Sequence, residues 1–332
     1  MIITRTPFRI SFFGGGTDYP TWYKENGGAV LSTTIDKYCY ITCRYLPPFF
    51  KHKHRIVYAK QESVNSINEI DHPSVRETLR FLKINKGVEI HHDGDLPSMS
   101  GLGSSSAFTV GLLHALSGLK GEMRTKRQLA LEAIEIEQKL IGENVGSQDQ
   151  TAAAFGGFNR IKFGGFEHIS VTPIILKPER LEDFQSYLML FFTDFARNAS
   201  TIAKEQIKNI PNKESELKMM HQMVDQAIGI LHGRQDLKRF GTLLNEAWNI
   251  KRTLSSKITN PTLDEIYATG IKAGAYGGKL LGAGNGGFML FFAPPEAHQK
   301  IRNKLKKLLY VPFKYENLGS QIIYYAPPYN SI

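Results

Sequence analysis

Two kinds of hydrophobic spacing alternate along the first half of the chain. Ile2–Phe13 and Ala29–Leu46 are rich in β-branched and aromatic residues and predict long strands; Gly87–His91 predicts a shorter one. Ser74–Lys83, Ser105–Leu119 and Lys126–Ile141 carry helical spacing, and Thr125-Lys-Arg-Gln128 supplies a capping box for the last. Strands resume at Phe158–Phe163 and His168–Leu176. Beyond Pro178 the pattern turns mainly helical: a strand at Tyr187–Thr193 precedes helices at Glu214–His232, Leu237–Leu254 and Thr262–Ala273. A glycine-dense stretch, Gly277–Gly287, then feeds the apolar strand Phe288–Ala293. The change near Lys177–Arg180 predicts an α+β protein of two domains, 1–180 and 181–332, the second more helical.

Composition narrows the class. The 332 residues are 42% hydrophobic and 22% charged, which suits a packed globular protein. No apolar run approaches the length of a membrane span. Cys39 and Cys43 are the only cysteines, four apart on a predicted strand, so a disulfide scaffold is excluded and no further cysteine could complete a zinc site. A cytoplasmic protein with no membrane partner is expected. Lys and Arg number 41 against 31 Asp and Glu, a formal charge of +10, and this favours anionic ligands without choosing one. The basic runs Phe49–Arg55 and Gln299–Lys307 come with no nucleic-acid-binding signature. The second has Ile301, Leu305 and Leu308 at helical spacing, the mark of a solvated amphipathic helix, so no nucleic-acid partner is expected.

Three small-residue segments carry candidate chemistry. Leu96-Pro-Ser-Met-Ser-Gly-Leu-Gly-Ser-Ser-Ser-Ala107 leads into a helix that is apolar nearly all round. Such a helix start presents unpaired backbone N–H groups and the positive end of a dipole to a phosphate, unless it is only a serine-capped buried helix. Gly282-Ala-Gly-Asn-Gly-Gly287 has dinucleotide-type spacing but precedes a strand, so alone it reads as a tight hairpin. Phe13-Gly-Gly-Gly-Thr-Asp-Tyr-Pro20 is a sharp turn at a strand end, where Thr17 and Asp18 could bond sugar hydroxyls. Arg9 lies on the strand before it.

Two carboxylates stand out. At about 100° per residue, Glu137 falls in the middle of the apolar face of helix 126–141, among Leu129, Ala130, Ala133, Ile134, Leu140 and Ile141. A carboxylate there needs a metal, an Arg or hydrogen bonds. Ser147 and Gln150 form a second capping-box pattern, which puts Asp149 in the first turn of a helix.

Taken together, Pro7-Phe-Arg-Ile…Gly-Gly-Gly-Thr-Asp-Tyr19, Pro97-x3-Gly-Leu-Gly-Ser-Ser-Ser-Ala107 and Gly282-Ala-Gly-Asn-Gly-Gly287 resemble, in order and over nearly the whole chain, the GHMP kinases. The Gly-Gly-Gly-Thr-Asp-Tyr-Pro signature is most similar to the heptose 7-phosphate kinase branch; the fucokinase branch carries a similar one. The resemblance implies an α/β N-terminal domain, a ferredoxin-like C-terminal domain and an active site in the cleft between them. It implies ATP and Mg²⁺ as cofactors and a sugar phosphate as the small-molecule partner. The reaction it implies is phosphorylation of an anomeric hydroxyl, on the way to nucleotide-activated heptose for surface polysaccharides. Carried onto this sequence, Ser100, Gly101, Leu102, Gly103, Ser104, Ser105 and Ser106 would hold the ATP phosphates. Ser105 and Glu137 would bind Mg²⁺, and Asp149 would be the catalytic carboxylate paired with Arg9. Gly15, Gly16, Thr17, Asp18, Arg197 and Gly284 would line the sugar site. A kinase for an unphosphorylated sugar such as L-fucose and a catalytically silent sensor are the alternatives. Sequence does not single out a clamp for a distal phosphate: Lys37 and Arg44 stand no better than other bases.

Overall fold

The computed structural model describes residues 1–98, 100–164, 169–193, 199–233 and 235–326. Its strands are β1 (Ile2–Phe13), β2 (Gly28–Tyr45), β3 (His54–Val57), β4 (Gln61–Val64), β5 (Val88–Gly94), β6 (Phe158–Phe163), β7 (Ile169–Pro173), β8 (Leu188–Phe192), β9 (Gly277–Leu280), β10 (Phe288–Phe292), β11 (Leu309–Tyr310), β12 (Tyr315–Glu316) and β13 (Gln321–Tyr325). The helices are α1 (Pro20–Asn26), α2 (Pro73–Phe81), α3 (Ser104–Lys120), α4 (Lys126–Glu135), α5 (Gln148–Phe155), α6 (Pro178–Ser186), α7 (Ala199–Asn209), α8 (Glu214–His232), α9 (Lys238–Arg252), α10 (Pro261–Lys272) and α11 (His298–Lys304).

A nine-stranded sheet is organised around β2, whose 18 residues are long enough to pair along their length with β1, β5, β6 and β12. Helix α3 packs on β1 and β2, and its apolar composition all round is explained by burial of nearly every residue from Ser106 to Leu119. The second sheet has strand order β11-β8-β10-β9 with every pairing antiparallel. With helices crossing between β8 and β9 and again between β10 and β11, this is the ferredoxin-like arrangement expected.

Two features of the structure cross residue 180. First, the last strands do not stay with the second unit: β12 pairs with β2, and β13 lies against β1 with Ile2 opposite Tyr325. Second, the two sheets share one core. Phe12 meets Phe184 and Phe240 edge-on at 5.6 and 5.7 Å, and Phe184 reaches Phe292 at 5.5 Å. These aromatic contacts run unbroken from the first sheet to the second. Among the described residues no helix is long and apolar enough to cross a membrane. Cys39 and Cys43 are buried free thiols, pushed up by burial, that sit in the core of the first sheet.

Candidate active site

The three small-residue segments converge on one cleft of about 430 Å³ between the sheets. Its first wall is the turn before α3. Gly103 is the residue before the helix and takes a left-handed conformation (φ +74°). A Cβ there would lie 3.3 Å from Arg9 Cγ and 3.4 Å from Asp149 Cγ, so glycine keeps the loop open where these two side chains meet. Ser104, Ser105 and Ser106 follow and line the cleft beside the helix N-terminus. Gly282 abuts the same loop: a Cβ on it would stand 2.5 Å from Gly101 Cα. The late glycine segment is thus the opposite lip of the cleft as well as a turn into β10.

Arg9 and Asp149 form a two-pronged ion pair. Arg9 Nε donates to Asp149 Oδ1 at 2.7 Å and Nη2 donates to Oδ2 at 2.8 Å, while Nη1 donates to the Gly101 carbonyl at 2.7 Å. The Arg9 side chain is buried and Asp149 remains partly open to the cleft. A planar guanidinium fixes the orientation of a carboxylate in this way. Asp149 stands in the first turn of α5, as the sequence predicts, but the capping box does not form. Ser147 makes no cap bond; its hydroxyl pairs with Tyr23 and accepts from Gln138, and Gln150 instead donates to Glu137. Tertiary partners have replaced the local ones.

Asp18 is buried and raised above the usual carboxylate range by burial, partly opposed by the Gly16 N–H, with the charge of Asp149 adding to the rise. It lines the cleft with Gly15 and Gly16. Thr17 does not. Its hydroxyl donates toward the Gly14 and Ala29 carbonyls and accepts from the Ala29 N–H, so it pins the turn rather than facing a sugar. Gly284 also departs from expectation: it packs on the Ile258 backbone, and Gly282 and Ala283 take its place in the cleft. Arg197 lies outside the described residues. Lys37 bonds Asp36, and Arg44 bonds Glu89; neither lines the cleft.

Glu137 is buried, as its place on the helix predicts, in a π-helical turn (Ile136–Ile141) that ends at Gly142. Ser106, rather than Ser105, donates to its Oε2 at 2.8 Å, and Gln150 donates to the same oxygen. Burial pushes the carboxyl up to about 7, against the pull of the Gln150 and Ser106 hydrogen bonds. Oε1 has no partner. Glu137 therefore sits behind Ser106, with one free carboxylate oxygen. Glu143, raised by burial, lines the cleft itself. Among the described residues no three His, Cys, Asp or Glu side chains gather as a metal cage. Mg²⁺ bound through phosphates needs only one or two carboxylates; Ser105 and Glu143 line the cleft, and Glu137, buried behind Ser106, has one unpartnered carboxylate oxygen.

Two residues of the site escaped the sequence reading. Lys251, near the end of α9, donates to the Gly282 carbonyl, and Lys279 on β9 donates to the Phe12 carbonyl at 2.8 Å; both are buried and line the cleft. A signal existed for the first: Lys251 continues the buried face marked by Phe240, Leu244, Ala247 and Trp248.

Comparison with known proteins agrees with this geometry. Residues 73–157 match the model of the GHMP kinases N terminal domain, and residues 227–311 match that of the GHMP kinases C terminal domain. D-glycero-alpha-D-manno-heptose 7-phosphate kinase of Campylobacter jejuni is 31% identical over 92% of this chain and 93% of its own length. The bifunctional fucokinase/GDP-fucose pyrophosphorylase of Arabidopsis thaliana is 22% identical over 91% of this chain, which spans 31% of that protein. Among solved structures, a D-glycero-D-manno-heptose 1-phosphate kinase from Bacteroides thetaiotaomicron superposes with a TM-score of 0.80 at 25% identity, covering 98% of this chain and all of that one. A mevalonate kinase at 21% identity shares the fold with a TM-score of 0.71. With matched domains at both ends of the cleft and a full-length relative above 30% identity, the chain belongs to the GHMP kinase family and is an ATP-dependent sugar kinase.

Proposed function

We propose that the protein transfers the γ-phosphoryl group of ATP to the anomeric hydroxyl of D-glycero-D-manno-heptose 7-phosphate, giving the 1,7-bisphosphate. The observation that carries the chemistry is the Arg9–Asp149 pair, held against the open turn at Gly103 where α3 begins. Phosphoryl transfer depends on positioning and on charge neutralisation more than on covalent help from the protein. Ser100–Ser106 and the α3 N-terminus would hold the phosphates through backbone N–H groups and serine hydroxyls. Asp149 would accept or orient the proton of the attacking hydroxyl. Arg9 holds Asp149 aimed through two hydrogen bonds, and Asp18 would bond the sugar. Ser105 and Glu137, with Glu143 nearby, would hold Mg²⁺, which when bound offsets charge on the phosphates.

The choice of sugar rests on the Campylobacter relative, at 31% identity over nearly full length. The Bacteroides structure carries a heptose 1-phosphate name, and that compound has its anomeric oxygen already esterified, so it supports a second reading with a different acceptor hydroxyl. The test is ATP consumption, with and without Mg²⁺, across heptose 7-phosphate, heptose 1-phosphate, mannose 6-phosphate, L-fucose and galactose. Turnover confined to heptose 7-phosphate, with new phosphate at the anomeric carbon, is the expected result. Turnover on fucose alone keeps the family and removes the substrate; ATP binding with no turnover on any sugar favours a silent sensor.

A further inference from the structure

Two buried lysines line the cleft without forming an ion pair among the described residues. Lys251 and Lys279 are 6% and 4% exposed. Each ammonium uses one donor, on a backbone carbonyl, and among the described residues no carboxylate lies within ion-pair distance of either. Arg9, the third buried cation of the cleft, lies on the glycine-loop side and is paired with Asp149, while Asp18 is a buried carboxylate of the same cleft. An ammonium has three N–H donors, and a buried one without a counter-ion is unfavourable. Burial pushes Lys251 down to about 8, with the Arg9 charge adding to the fall and the Asp18 and Asp149 charges opposing it; burial pushes Lys279 down as well, with the Lys251 and Arg9 charges adding and Asp18 opposing. The two ammoniums therefore feel each other as well as the apolar surroundings. Ser11, 6% exposed on β1 and lining the same cleft, has a hydroxyl with no partner. It precedes Phe12, whose carbonyl receives Lys279.

We infer that Lys251 and Lys279, with the Ser11 hydroxyl, form a phosphoryl-binding site on the C-terminal wall of the cleft. A phosphate dianion offers several oxygens to the spare donors of two ammoniums that hold no ion pair among the described residues, whereas a single carboxylate offers only two. The phosphoryl group has two possible sources: the ester already carried by the acceptor, or the γ-phosphoryl group in transit beside Arg9 and Asp149. The kinetic part of the inference rests on the sugar-phosphate kinase reading; the binding part does not.

The experiment uses the full chain and the single variants Lys251→Met and Lys279→Met, with Lys251→Gln and Lys279→Gln as substitutes if a methionine variant does not fold. Retained ATP affinity confirms an intact glycine loop. Inorganic phosphate is the probe, titrated calorimetrically without nucleotide. The expected result is a loss of phosphate affinity of about 10- to 100-fold in each variant, the size of one charged hydrogen bond. Steady-state kinetics with heptose 7-phosphate and with the unphosphorylated heptose then separate the sources. A KM increase confined to the phosphorylated sugar assigns the site to the acceptor's ester. A fall in kcat on both sugars, with KM kept, assigns it to the transferred group. Absence of phosphate binding in the unaltered protein overturns the inference, as does phosphate affinity in both variants within about twofold of the unaltered value, even where the variants lose stability. If no sugar is turned over but the phosphate titrations behave as expected, the substrate reading fails and the site stands.

Discussion

Replacing Lys251 by Met separates what this residue does for stability from what it does for ligand. The side chain is buried, and its ammonium is pushed down from 10.5 to about 8. At about 1.36 kcal/mol per unit, that shift corresponds to a cost on the order of 3 kcal/mol for keeping the amine charged in the folded protein. The sign follows from proton binding. Between about pH 8 and 10.5 the unfolded chain still holds the proton that the folded protein has released, so stability rises with pH across that window. Below about pH 8 the folded protein carries the full cost. The methionine variant escapes it but leaves the Gly282 carbonyl without its donor, a loss of about 1–3 kcal/mol that does not vary with pH. The expected outcome is therefore a variant at least as stable as the unaltered protein near neutral pH, with that advantage shrinking by roughly 3 kcal/mol as pH rises through the window. Lys279 changes the same way: relieved of its neighbour's charge, it titrates higher in the variant, which flattens the variant's curve further. Urea denaturation at several pH values from about 7 to about 10 measures this difference. Parallel stability curves for the two proteins would refute the reasoning, because they would mean the Lys251 amine is not held at a cost.

Other outcomes follow from the site. Asp149→Ala is expected to lower kcat at least ~10²-fold with ATP affinity largely kept; near-normal turnover would remove Asp149 from the chemistry. Glu137→Gln is expected to raise the Mg²⁺ concentration needed for half-maximal rate, and an unchanged Mg²⁺ titration would leave Glu137 a structural carboxylate held by Ser106 and Gln150. Thr17→Ser should behave like the unaltered protein, while Thr17→Val should cost about 1–3 kcal/mol on thermal unfolding, since the Ala29 N–H loses a buried acceptor. Gly146→Ala should raise KM for the sugar, because a Cβ there would stand 1.8 Å from Asp18 Oδ2 and force that carboxylate to move; an unchanged KM would place Asp18 outside the sugar site.

Most of the large elements were legible from periodicity. The strands β1 and β2 and the helices α3, α8 and α9 lie within a few residues of their predicted bounds, because each is long enough for its spacing to outweigh local noise. The short strands β3 and β4 have four residues each, too few to show a period, and β3 begins inside the basic run Phe49–Arg55. The box at Thr125 forms as written, while the one at Ser147 does not, since Tyr23, Gln138 and Glu137 are better placed to take the same polar groups.

For the site, local pattern alone showed that a glycine-serine loop opens a buried helix, that Glu137 faces inward and that Asp149 starts a helix. Each of those depends only on residues near in the chain. Resemblance then joined Arg9 to Asp149, and the structure shows the pair made across 140 positions. Only the tertiary structure decided what faces the cleft. Thr17 and Thr109 have their hydroxyls within hydrogen-bond reach of their own surroundings, Glu137 is screened by Ser106, and two lysines from α9 and β9 arrive at the wall opposite the loop. The return of β12 and β13 to the first sheet was equally invisible, since strand pairing over such separations is set by which edge the chain leaves open. Local patterns report which face of an element is buried, but which other element covers that face depends on how the whole chain closes.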